Sequence, residues 1–102
     1  MELKPGLRLE SATCDTQVVV VKAPPDAADV DVRCGGHPMR DVGAGGERLA
    51  VAGEGDATLL GKRYADEELG LELLCTRPGD GALTVDGRVL LVKGAKPLPS
   101  SD

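Results

Sequence analysis

Four residues supply every thiol and the one imidazole of this chain: Cys14, Cys34, Cys75 and His37. Two of them share the hexapeptide Cys34-Gly35-Gly36-His37-Pro38-Met39. A Cys-x-x-His spacing lets a glycine-rich knuckle wrap one metal ion, because glycine turns tightly and leaves backbone amides free to approach a sulfur. The same residues also read as a tight turn with no ion. Three cysteines cannot all pair within one chain, so they are reduced thiols, metal ligands, or one disulfide and a spare. Catalysis has less to build on. A Cys–His nucleophile pair needs a base within reach of the thiol and a third group to orient it, and no such acid or amide stands out. The carboxylates form no recognisable catalytic pair. Packing competes for each residue. Cys75 ends the apolar run LELLC and reads as a small buried hydrophobe. His37 precedes a proline, which favours an extended backbone and a solvated ring. Cys14 opens a strand beside polar neighbours and is harder to explain by packing.

The elements that must position these residues are strands. Apolar residues come in short bursts separated by Gly, Pro and Asp, the punctuation of an all-β chain. Strands are expected at 7–13, 17–22, 30–33, 48–52, 71–76, 82–85 and 88–92. Gln17–Lys22, QVVVVK, is a continuous β-branched run expected at the centre of a sheet and covered on both faces. Residues 29–33, DVDVR, alternate and predict one solvated face. The intervening APPDAAD is a turn, since its prolines cannot donate ladder bonds. Asp86-Gly87 between two β-rich arms predicts a type I′ hairpin. The glycine-rich stretch 42–62 lacks the strand-to-helix setting of a phosphate cradle and reads as loop with weak strands. One helical turn is expected at 64–69, where Asp66, Glu67 and Glu68 form an acidic cluster of the kind that is usually a solvated face.

Residues 11–39 resemble the rubredoxin-like domain of desulforedoxin and of the N-terminal part of desulfoferrodoxin. In that family a Cys-x-x-Cys knuckle leads into a valine-rich strand, a turn and a second strand that ends in adjacent cysteines, Gly, often Pro, and Met. Cys14, Cys34, Gly36, Pro38 and Met39 fall on this pattern. Ser11 stands at the first cysteine and Gly35 at the fourth, so the family's four-thiolate site is incomplete. The resemblance implies two strands joined by a turn, with Cys14 brought near Cys34 and within reach of a reversible disulfide. His37 and Cys75 are the replacement donors at hand, giving a Cys14, Cys34, His37 and Cys75 set for structural zinc or for iron. A Rieske-like pattern is met at three of four ligands, with Thr16 where a histidine is required.

Composition narrows the partners. The chain has 102 residues, a net charge of −5 and Tyr64 as its one aromatic residue, so it has neither the basic surface nor the stacking platforms of a nucleic-acid binder. It has no apolar run of the ~20 residues that span a bilayer, and its start lacks a secretory pattern, so a cytoplasmic location is expected. The expected architecture is all-β: a small barrel or sandwich of about seven short strands, one domain over 1–93, a rubredoxin-like unit in its first half, and a Pro/Ser tail over 94–102. The expected role is a non-enzymatic accessory or interaction module that docks on a larger protein, a redox enzyme among the candidates, or on copies of itself. The alternative is a metal protein holding zinc or iron.

Overall fold

The structure, a computed structural model, describes residues 3–24, 30–52 and 55–92. Most of the expected 23–29 turn and the 94–102 tail lie outside the described residues. The fold is all-β, with no helix among the described residues. Among the described residues ten short strands form: β1 (Arg8–Glu10), β2 (Gln17–Lys22), β3 (Val32–Cys34), β4 (His37–Pro38), β5 (Arg40–Asp41), β6 (Arg63–Asp66), β7 (Leu71–Arg77), β8 (Leu83–Val85), β9 (Arg88–Val89) and β10 (Leu91–Val92). They make two antiparallel sheets, one ordered β10-β6-β7-β2-β1-β5 and the other β4-β3-β8-β9.

The two sheets meet at two corners rather than closing into one barrel. At each corner the chain leaves one sheet and enters the other across a single buried apolar residue, Met39 between β4 and β5 and Leu90 between β9 and β10. Each corner amide still finds a partner, Met39 N–H donating to Val32 at 3.0 Å and Leu90 N–H to Leu83 at 2.9 Å. Such bends let a strand change sheets without leaving a buried backbone group unpaired.

The core lies between the sheets and is built from Leu and Val. Leu9, Val18, Val20, Leu71 and Leu73 face it from the larger sheet, and Val32, Leu83 and Val85 from the smaller. Burial of each such side chain contributes about 1.5–3 kcal/mol, which must replace what aromatic residues supply in other cores. Tyr64 is buried with them, and its hydroxyl accepts the Leu59 amide at 2.9 Å.

Several expectations are corrected. β2 is central, between β7 and β1, but only Val18 and Val20 are buried; Val19 is half-covered and Val21 exposed. The run is continuous in sequence yet has one wet face. The helical turn expected at 64–69 is instead β6 followed by a turn, because Tyr64 and Asp66 pair with Leu73 and Leu71 of β7. Arg48–Ala52 forms no strand. The Asp86-Gly87 hairpin is as expected, with φ of +49° and +84° and Val85 paired to Arg88.

Candidate functional site

Three turns converge at one end of the core. The first joins β1 to β2 through residues 11–16. Ser11 closes it from within: its hydroxyl accepts the amides of Thr13 at 3.0 Å and Cys14 at 3.2 Å, while its own amide donates to Thr16 at 2.9 Å. A serine binding the backbone two and three residues ahead is a local turn former. Cys14 is thereby folded inward, 7% exposed.

The second turn is Cys34-Gly35-Gly36-His37. Cys34 pairs with His37 across it, and both glycines have positive φ, +66° and +85°. Two successive positive φ values define a type I′ hairpin. The hexapeptide is therefore a tight turn between β3 and β4. Gly35 is needed for space as well as conformation, since a Cβ there would stand 2.2 Å from Thr13 Oγ1. Thr13 Oγ1 in turn donates to the Cys34 carbonyl at 3.2 Å and locks the two turns together.

The third turn, 78–81, follows β7. The Thr58 hydroxyl donates to the Gly81 carbonyl at 2.7 Å, and Gly81 N–H donates to Cys14 Sγ at 3.4 Å. Glycine is again a steric requirement. A Cβ on Gly79 would meet Thr16 N at 2.6 Å and Cys14 Sγ at 2.8 Å, and one on Gly81 would meet Cys34 Sγ at 3.0 Å. Segment 44–52 straps the assembly from outside, with Leu49 N–H donating to Ala12 and Ala52 N–H to Gly35, both at 2.7 Å.

At the meeting point Cys14 Sγ and Cys34 Sγ are 3.9 Å apart. Both are free thiols. The Ser11 and Thr16 hydroxyls lie 3.4 and 3.3 Å from Cys14 Sγ. Burial alone would raise the Cys14 pKa, but hydrogen bonding with the Ser11 and Thr16 hydroxyls and with the Thr16 and Gly81 amides outweighs it and brings the thiol down to about 6. Cys34 goes the other way. Burial pushes it up to about 11, aided by the neighbouring Cys14 charge and opposed in part by Ser11 and Thr16. The pair is thus one stabilised thiolate beside one retained thiol.

The other two sequence candidates do not join them. His37 stands across the hairpin from Cys34, half-buried. Cys75 sits on β7 with its Sγ donating to the Arg77 carbonyl at 3.1 Å, its pKa raised by burial. Among the described residues, which include all four, no three His, Cys, Asp or Glu side chains are gathered closely enough to hold a metal ion. The Cys14, Cys34, His37 and Cys75 set is not assembled in this structure.

Ser11 and Thr16 read from the sequence as positions where ligands had been lost; here they are the groups that tune Cys14. Two clefts open on that residue. One, of about 180 Å³, lies between Cys14, Thr16, Arg40, Arg48 and Arg77; the other, of about 420 Å³, between Cys14, Thr58, Leu59, Pro78 and Gly79. A third hollow of about 460 Å³ is lined by Ala65, Leu91, Val92 and Arg88, the last paired with Asp66 and Glu68. It contains none of the cysteines and lacks a nucleophile. Among the described residues no helix is long and apolar enough to cross a membrane. No protein-family model, no curated protein and no solved structure matches this chain.

Proposed function

We propose that the chain is a small non-enzymatic accessory module whose working part is the Cys14–Cys34 dithiol, closing reversibly to a disulfide. The observation that carries this reading is the 3.9 Å approach of two buried sulfurs held by three separately anchored turns. A disulfide needs ~2.05 Å, a further approach of ~1.9 Å that side-chain rotation and a small shift of one turn can provide. Unequal thiols suit exchange, because the thiolate is the nucleophile and the protonated neighbour stays in reserve. Docking on a larger protein, a redox enzyme among the candidates, is supported by two exposed leucines, Leu59, which lines the larger of the two clefts on Cys14, and Leu60, which follows it in the chain. Proximity of Cys14 and Cys34 also agrees with a rubredoxin-like origin of residues 11–39.

A second reading keeps a metal. Two sulfurs on a tetrahedral zinc with ~2.3 Å bonds lie about 3.8 Å apart, close to the spacing here. His37 and Cys75 would have to move to complete such a site, or a partner would supply the remaining donors.

One experiment addresses both readings. Protein purified without a histidine tag is analysed for metal, then treated with a disulfide reagent and mapped by peptide mass spectrometry before and after reduction. The dithiol reading expects a Cys14–Cys34 link that reductant reverses, with Cys75 unlinked. A folded protein whose Cys14 and Cys34 never link overturns it. About one equivalent of zinc or iron that blocks the link favours the metal reading.

A further inference from the structure

We infer that the smaller cleft beside Cys14 admits an anionic low-molecular-weight disulfide, which Cys14 attacks and Cys34 resolves. The inference rests on the dithiol reading and names its reaction partner.

Access fixes the order of attack. Cys14 lines both clefts, whereas Cys34 is 0% exposed and lines neither. A reagent from solvent meets Cys14 first.

Charge fixes the kind of reagent. Arg40, Arg48 and Arg77 line the smaller cleft, against Glu10 and Asp15. The two carboxylates are already engaged. Asp15 holds Arg48 at 2.9 Å, and Glu10 accepts the Gly43 amide at 3.3 Å. The guanidiniums are not equally satisfied. Among the described residues Arg40 gives one bond, from Nη2 to the Glu47 carbonyl, and its buried Nε meets no partner. The Arg77 side chain makes no hydrogen bond with a described residue and acts on Asp15 only through its charge, the smallest of the influences on that carboxylate. A chain of net charge −5 therefore gathers three guanidiniums against two carboxylates around the one thiol that lines this cleft, and the third guanidinium faces the Cys14 thiolate and any anion beside it. Such a guanidinium raises the local concentration of anions. At about 180 Å³ the cleft has the volume of about six water molecules, room for a carboxylate-bearing arm and not for a folded loop.

The chemistry balances without another reagent. The Cys14 thiolate attacks one sulfur of the disulfide RSSR; a Cys14–SR bond forms, the S–S bond breaks, and RS⁻ leaves with the electron pair. Cys34 gives its proton to that thiolate or to water and attacks Cys14 Sγ. The Cys14–Cys34 bond forms and a second RS⁻ departs. Two protein thiols are oxidised and one disulfide is reduced to two thiols.

The test uses the full chain and three disulfides: oxidised glutathione as the anion, 2-hydroxyethyl disulfide as the neutral reagent and cystamine as the cation. Each rate of Cys14–Cys34 formation is divided by the rate of the same reagent with a free model thiol. The normalised order expected is anion, neutral, cation, with the spread narrowing as salt screens the guanidiniums. Arg77→Gln should slow the anionic reagent on the order of threefold and leave the neutral one unchanged, and Arg77→Lys should restore part of the loss. A neutral or cationic reagent as fast as the anion, or an Arg77→Gln variant that slows all three alike, overturns the inference and leaves the dithiol reading standing. A Cys14 mixed disulfide that never resolves overturns the role given to Cys34. No link with any of the three reagents defeats the dithiol reading itself.

Discussion

Replacing Thr16 by valine isolates one of the two hydroxyls that hold Cys14 as a thiolate, and spares Ser11, which also closes the turn. Thr16 is fully buried, its Oγ1 is 3.3 Å from Cys14 Sγ, and valine keeps its shape while removing the hydroxyl. Its backbone amide, which also bonds the sulfur, remains. A hydrogen bond to a charged group contributes about 1.5–3 kcal/mol, and 1.36 kcal/mol is one pKa unit, so the Cys14 midpoint should climb from about 6 to roughly 7–8. At pH 7 the thiolate fraction would fall from ~90% to between ~10% and ~50%. The assay is the pH profile of iodoacetamide alkylation in a Cys34→Ser, Cys75→Ser background, with thiolate ultraviolet absorbance as a second readout. Thr76→Val is the control, because that exposed hydroxyl donates to the Gln17 carbonyl and touches no sulfur. A folded Thr16→Val protein whose midpoint stays near 6 would refute the hydroxyl's role. A parent protein titrating near 9 would refute the whole account of the thiolate.

Two further outcomes follow from the same geometry. Under reducing conditions, stability should rise with pH between about 6 and 9 and fall between 9 and about 11. In the lower window the unfolded chain holds a proton on Cys14 that the folded chain has lost. In the upper window the folded chain keeps a proton on Cys34 that the unfolded chain has lost. The rise amounts to at most about 4 kcal/mol by urea titration, and a Cys14→Ser variant that retains it would refute the assignment. Separately, Gly79→Ala should destabilise by about 1–3 kcal/mol and raise the Cys14 midpoint, since its Cβ would press within 2.3 Å of Thr16 Oγ1. An unchanged denaturation midpoint would mean that the 78–81 turn is not packed on the first.

The strands that pair across short turns were readable from sequence, because their signals are local. Asp86-Gly87 needs positive φ at both positions, and β-branched QVVVVK has little alternative to a strand. The remaining elements were decided by their pairing partners. Residues 64–66 carry nothing that forbids a helical turn; they are extended because β7, across the 67–70 turn, offers Leu71 and Leu73 as cross-strand neighbours. The run 88–92 reads as one strand, yet Leu90 turns it from β8 toward β6, and no glycine or proline marks the corner. At the site, the nearness of Cys14 and Cys34 came from the family resemblance, not from spacing. Arg48 and Arg77 gave no sign that they would line one cleft, since they lie on a strap and at a strand end. His37 and Cys75 were chosen for their chemistry, and the register put one across a hairpin and the other on β7.

The contrast between Cys75 and the other two cysteines argues against packing as the reason for the pair. Cys75 is what a structural cysteine should be: a buried thiol on a strand between apolar neighbours, its proton given to a nearby carbonyl and its pKa raised. Cys14 and Cys34 also border the buried core, yet Cys14 is met in addition by the Ser11 and Thr16 hydroxyls and the Gly81 amide, polar partners that packing alone does not require. Valine or alanine would fill such a place without requiring three turns to be built from residues that lack or forgo a side chain. Glycine at 79 and 81 leaves that turn more conformational freedom to lose on folding, a cost that goes with its close approach to Thr16, Gly35 and the two sulfurs. If the pair were only packing, Cys14→Ala together with Cys34→Ala would leave stability nearly unchanged across pH; if the thiolate is what the turns hold, the double variant loses the rise above pH 6 and leaves the Thr16 hydroxyl and the Gly81 amide without the sulfur they bind.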